Sequence, residues 1–260
     1  MSAAPEPHEI YRRTQQEGER RLSRPPLELV ATAFVAGIDV AFGIAALGIV
    51  HAYLVEPFGE GVATIGGSIA FGIAFVSIVV GRSELFTENF LVPIAGLDPH
   101  DGRSWLKLGE LWSVSPVLNL LGGTAVLLIL TAHGVLPEGT GDALVTVAGH
   151  FDGNSLTTAF LSAVAAGAVI TLMTWLLEGA DAIGTRVLVA WIGGALLALG
   201  SFNHVIVATL ELFAGIRYGG DIGWGDVAGN AGVAAVGNLL GGVLFVTLTR
   251  LGQAKGSLQP

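Results

Sequence analysis

Six histidines stand in the chain, and five of them lie at the ends of apolar runs or between them: His8, His51, His100, His133 and His150. Only His204 falls inside such a run. An imidazole can lend or accept a proton near neutral pH, so a histidine enclosed in apolar sequence suits proton exchange or polarisation of a small solute. The plainer reading is a histidine that hydrogen-bonds its neighbours to hold a backbone break. Four acids also fall inside apolar runs: Asp39, Glu84, Glu88 and Glu211. Structural pairing is the default for all four, and a proton-relay role for Asp39 or Glu211 is the sharper alternative. Arg82 is the one basic residue near enough in sequence to pair with Glu84 or Glu88. Asp39 has no obvious partner.

These residues cluster at two breaks, Gly81 to Phe90 and Gly200 to Glu211. Within a bilayer, a break frees backbone N–H and C=O groups, and it persists only where protein or a water-filled path satisfies them. A half-helix N-terminus there points partial positive charge at whatever occupies the path, which favours an anion over a cation.

The elements that must hold these residues are membrane helices. Of 260 residues, 52% are hydrophobic and 13% charged, and 38 are glycine. The charged share is about half that of an ordinary soluble domain. Mean hydropathy is +0.69 and net charge −9, which excludes a disordered chain and a nucleic-acid binder. Cysteine is absent, so thiolate metal sites, disulfides and cysteine nucleophiles are excluded. No metalloprotease, nucleophile-elbow, phosphate-loop or dinucleotide motif occurs, and neither an enzyme nor a cofactor or metal is expected. The paired Asn-Pro-Ala signature of aquaporins is missing as well.

Apolar runs of about 20 residues predict six membrane spans. They cover about 29–54, 62–80 resuming at 85–95, 111–132, 156–177, 187–199 resuming at 204–216, and 227–251. With the N-terminus inside, ten lysines and arginines fall on the cytoplasmic side and only Arg217 outside, as the positive-inside rule requires. The N-terminal arm, 1–26, reads as a surface helix at the membrane face, 27–252 as the membrane domain and 253–260 as a cytoplasmic tail.

The chain also repeats itself. Asn119-Leu-Leu-Gly-Gly recurs at Asn238, 119 residues on, and Glu84-Leu-Phe recurs at Glu211, 127 residues on. Together the matches suggest a duplicated three-span unit. An odd-span unit repeated in one membrane is inverted, an arrangement typical of channels and transporters. Gly122-Gly123 and Gly241-Gly242 let helices cross closely. Phe71 and Phe75 share one helical face and read from periodicity as core or lipid-facing, with a hydrophobic constriction as the alternative.

The segments Gly81 to Phe90 and Phe202 to His204, placed on interrupted spans two and five, resemble the formate/nitrite transporter family, and its divergent YfdC-like branch in particular. The resemblance covers about 27–251. It implies an all-α, aquaporin-like protomer, a homopentamer in the inner (plasma) membrane, and one pore per protomer for small monovalent anions of weak acids, sometimes with a proton. His204 matches the family's central pore histidine and Thr87 the threonine facing it. Leu85 and Phe86 match the inner constriction, with Phe75 nearby. Phe71 matches an outer-constriction phenylalanine, and Leu197 stands where another is common. Asn203 stands where better-known members have glutamate, Ala208 where they have asparagine, Ser155 where they have a vestibule lysine, and Thr171 where they have asparagine. Two other functions compete: a channel for a neutral or different small solute on the same scaffold, and a membrane sensor or assembly subunit worked by the N-terminal arm.

Overall fold

The computed structural model describes residues 5–258, so residue 1–4 of the arm and 259–260 of the tail lie outside the described residues. The described residues are all helical, with no strand. Five helices are long and apolar enough to cross a membrane: α2 (Pro26–Phe58), α3 (Glu60–Gly81), α5 (Gly102–Leu130), α7 (Leu156–Glu178), and a run from Trp224 to Gly256 made of α10 (Trp224–Leu240), a π-helical stretch (Gly241–Thr247) and α11 (Leu248–Gly256). Between α7 and α10 lie α8 (Ile183–Leu199) and α9 (Val205–Arg217), separated by residues 200–204. Three short helices complete the order: α1 (Pro7–Leu22) in the arm, α4 (Val92–Ala95), and α6 (Thr140–Gly149) in the acidic connection.

Residues 85–95 were expected to resume a span as a half-helix. They form instead a single 3₁₀ turn, Phe86–Phe90, followed by the four-residue α4. Every residue of that turn is buried, and the side chains of Glu88 and Asn89 are drawn toward the arm. Helix starts follow local chemistry. Pro26 opens α2, where a missing N–H costs nothing. Asp101 accepts from the Arg103 N–H to cap α5, and Ser155 accepts from the Thr158 N–H to cap α7.

The helices pack closely because glycine stands at their crossings. A Cβ at Gly37 would overlap the Asn119 carbonyl oxygen, bringing α2 onto α5. A Cβ at Gly167 would overlap the Asn238 carbonyl oxygen in the same way, bringing α7 onto α10. Outward faces carry Phe42, Ile69, Leu128 and Phe245 in the open, as a lipid-facing surface does.

The internal repeat is written in hydrogen bonds. Asn119 accepts from the Phe86 N–H at 2.9 Å and donates to the Ala33 and Glu84 carbonyls at 2.7 and 2.9 Å. Asn238 accepts from the Val205 N–H at 2.9 Å and donates to the Ala163 and Asn203 carbonyls at 2.8 and 2.9 Å. Just before the breaks, Arg82 and Ser201 both take positive φ, and the next N–H reaches back to Ile78 and Leu197 respectively. All these break residues pair at a separation of 119. The Glu84-Leu-Phe and Glu211-Leu-Phe match at 127 is thereby corrected. Glu84 is equivalent to Asn203, whereas Glu211 lies well inside α9, so that match reflects a composition rich in these residues and not shared position.

Candidate functional site

The two breaks meet at the centre. Thr87 sits on the first, in the 3₁₀ turn; His204 ends the second, as the cap of α9. Both are fully buried, and Thr87 Oγ1 lies 2.6 Å from His204 Nε2. The protonation pattern follows from the partners. His204 Nδ1 accepts from the Val207 N–H at 3.3 Å, so in the neutral ring the proton is on Nε2 and is donated to Thr87. The Thr87 hydroxyl hydrogen is then left to point elsewhere. The start of α9, with its partial positive charge, faces the same spot. The site can therefore offer a hydroxyl donor in a weakly positive field to a small anion.

The apolar residues expected at the constrictions, Phe71, Phe75, Leu85, Phe86 and Leu197, belong to one buried core cluster. Phe71 and Phe75 are fully buried and meet edge-to-face at 6.1 Å between ring centres. Leu85 and Leu197 are buried, and Phe86 packs edge-to-face on Phe90. Towards the face that carries α6, a narrow pocket is lined by Leu197, Phe202, Val207, His51, His150 and Glu211. Ser155 and Thr171 are not among its lining residues, and no lysine or arginine is. Towards the face that carries α1, a cavity of about 350 Å³ is lined by Arg20, Arg24, Arg82 and Arg186 together with Glu17, Glu88 and Glu178.

The acids find different partners from those expected. Arg82, half of an expected pair with Glu84 or Glu88, is exposed at the rim. It is the arm that reaches in instead. Arg21 donates to Glu84 and Asn89 at 3.0 Å and to Glu88 at 3.3 Å. Arg24 pairs with Glu84 as well. The left-handed turn at Arg82 directs its side chain away from the break, while Arg21 and Arg24 lie above it on the arm. Burial, with Arg21 and Arg20 close by, pulls Arg24 down to about 10, so it stays charged at neutral pH. Burial alone would raise Glu17, but hydrogen bonds from Arg20 and the charges of Arg21 and Arg20 hold it down at about 2. Asp39 accepts from Ser83 Oγ at 2.7 Å.

Asn203 turns away from the path. Its amide exchanges hydrogen bonds with Asn230 at 2.8 and 3.0 Å and donates to the Ala159 carbonyl, and its N–H reaches Ser162. Ala208 is fully buried, and Thr171 is buried with no hydrogen-bond partner for its hydroxyl among the described residues. Sequence reasoning missed the Asn119 and Asn238 clamps, although the repeated Asn-Leu-Leu-Gly-Gly marked both positions. It also missed Arg21 and Arg24, for which no sequence signal existed.

Comparison with known proteins adds the family. A family model described as formate/nitrite transporter matches residues 8–252. The inner membrane protein YfdC of Escherichia coli (strain K12) is 25% identical over 253 residues, 96% of this chain and 79% of that protein. The uncharacterised transporter YrhG of Bacillus subtilis (strain 168) is 27% identical over 249 residues, 93% of this chain and 91% of that protein. A solved structure described as an FNT family ion channel superposes with a TM-score of 0.79 at 22% identity, covering 96% of this chain and 99% of the other. A pentameric formate channel with formate bound gives 0.71 at 20%, covering 86% and 96%.

Proposed function

As the chain belongs to the formate/nitrite transporter family, a family of membrane channels and transporters, not enzymes, we propose that it conducts small monovalent anions of weak acids, the formate and nitrite class, through a path centred on His204 and Thr87. The single observation that carries this reading is the buried 2.6 Å bond between those two residues, joining the two breaks of a chain that also has a pocket on the α6 face and a cavity on the arm face. A bare anion loses its hydration at the apolar constrictions, a cost a weak acid avoids by crossing as the neutral molecule. Thr87, fixed by neutral His204, donates to the solute between those constrictions and polarises it. Proton coupling belongs to this proposal.

The arm face is cytoplasmic in this reading, with eleven basic residues on that side, Arg82 included, against Arg217 opposite. The chain crosses six times, with α8 and α9 together forming the fifth crossing, and residues 27–252 form the membrane domain. It resides in the inner membrane as a homopentamer. The location follows the name of the YfdC relative, and the assembly follows the solved formate channel, described as pentameric.

The test is flux into liposomes. Formate and nitrite should enter faster as pH falls from about 8 to 5, because more solute carries a proton. His204→Phe removes the acceptor for Val207 N–H and the donor to Thr87 together, and should cut flux at least about tenfold. Unchanged rate and pH dependence in that variant would sink the proposal. A neutral-solute channel is the second reading, favoured by the absence of lysine and arginine from the α6-face pocket. Glycerol flux indifferent to pH would select it.

A further inference from the structure

His204 has its proton in use. With Nδ1 accepting from Val207 and Nε2 donating to Thr87, the neutral ring has none to give away without breaking the bond that holds the site. A proton that travels with the solute then comes from water or from another group on the path. The pocket on the α6 face contains one.

Glu211 lies seven residues beyond His204 on α9, two turns and roughly 10 Å toward that face at the helical rise per residue. It is 3% exposed and lines the pocket. Every other acid inside the apolar runs has a donor: Glu84 and Glu88 have Arg21, and Asp39 has Ser83. No hydrogen bond or ion pair from the described residues reaches the buried Glu211 carboxyl. The pocket around it combines the apolar Leu197, Phe202 and Val207 with the hydroxyl residues Thr64, Ser68 and Ser201. The titratable groups facing it are two. From α2 comes His51, whose Nε2 lies 2.9 Å from Glu60 Oε1 on α3. From the connection after α6 comes His150, whose Nδ1 lies 3.4 Å from Ser201 Oγ. Helices α5 and α10 bring no titratable side chain to the pocket. An ionised carboxylate in such a place would lack compensation and would repel an anion. A carboxylic acid would instead offer an incoming anion a hydrogen-bond donor, in a pocket that has no lysine or arginine.

From this geometry we infer that Glu211 is the proton-donor site of the α6-face pocket, loading a weak-acid anion with its proton before the apolar constriction. The inference rests on the weak-acid reading above and deepens it. The Glu211 O–H bond breaks, an O–H bond forms on the carboxylate or nitrite oxygen, and the neutral acid moves on toward Thr87. Glu211 is left as carboxylate and recovers a proton from hydronium in the water on that side, completing the cycle with no other reactant.

The experiment uses the full chain in liposomes with formate as probe, from about pH 5 to 8. Glu211→Gln keeps the size and the hydrogen-bond donor but has no proton to release. It should lose at least about tenfold in formate flux and flatten the pH profile, a loss within the range for an acid that donates in the rate-limiting step. Infrared difference spectra of the purified wild type at pH 7 should show a protonated carboxylic acid band that disappears in Glu211→Gln. This second readout is independent of flux. Wild-type flux and pH profile retained in Glu211→Gln, or no such band, would overturn the role of Glu211 and leave the weak-acid reading standing. Absence of formate and nitrite flux in the wild type would overturn the weak-acid reading, and this role with it.

Discussion

Replacing Asn238 by alanine should loosen the centre without touching the path itself. The side chain is fully buried and makes three hydrogen bonds, one to the N–H that starts α9 and two to carbonyls on α7 and at the break. The Ala163 carbonyl lies inside α7 and keeps a helical partner, so the alanine variant orphans two groups: the Val205 N–H and the Asn203 carbonyl. Each buried, unsatisfied group costs about 1–3 kcal/mol, so the variant should lose about 2–6 kcal/mol. Asn119→Ala orphans the matching groups, the Phe86 N–H and the Glu84 carbonyl, and should lose a similar amount. At roughly 2–4 °C per kcal/mol for a chain of this size, each midpoint should fall by several degrees or more in a detergent-solubilised thermal melt. Asn230→Ala, which leaves both clamps intact, is the control and should cost less. A loss under about 1 kcal/mol in either clamp variant would refute the reasoning, because the freed backbone groups would then have found other partners. Equal, large losses would show that the two halves are held by one device used twice.

Two further outcomes follow from the arm. Arg21→Met strands the buried Glu88 without its cation and should lose about 3–5 kcal/mol, with most of it recovered in Arg21→Met/Glu88→Gln; a melt that shows no recovery would contradict the pairing. Glu17, held at about 2 against an ordinary 4.5, contributes stability that is complete above pH 4.5 and disappears as pH falls toward 2. The melting midpoint of the wild type should therefore drop across that window, and Glu17→Gln should be lower at neutral pH with a shallower drop.

Much of the fold was legible because a bilayer asks for one thing, long apolar helices, and apolar runs are plain to read. The site was legible through local motifs: Thr87 and His204 each stand at a break marked by glycine and polar residues. What escaped has a common physical character. The bond from Arg21 to Glu84 spans 63 residues of chain, and a charge 63 residues away leaves no trace in local spacing. The Glu-Leu-Phe match misled because in a chain dominated by a few apolar residue types a tripeptide recurs cheaply, while the equivalent pair, Glu84 and Asn203, shares only backbone hydrogen bonding. The segment 85–95 looked like a half-span because its apolar residues are many. Whether such residues wind into a helix or a tight turn depends on who takes the polar ones, and Glu88 and Asn89 are taken by the arm.

The arm carries a consequence for how the protein is made. Besides the pairs it makes within itself, the arm has partners that lie far along the chain. Arg21 meets Glu84 and Glu88 only after two further apolar helices have been synthesised, Arg13 meets Asp181 about a hundred residues later, and His8 approaches Ser257 later still. The arm is therefore fixed in stages, to the first break early and to Asp181 and Ser257 late. A fusion or tag that delays the arm would act on the yield of inserted protein before it acted on anything the finished molecule does.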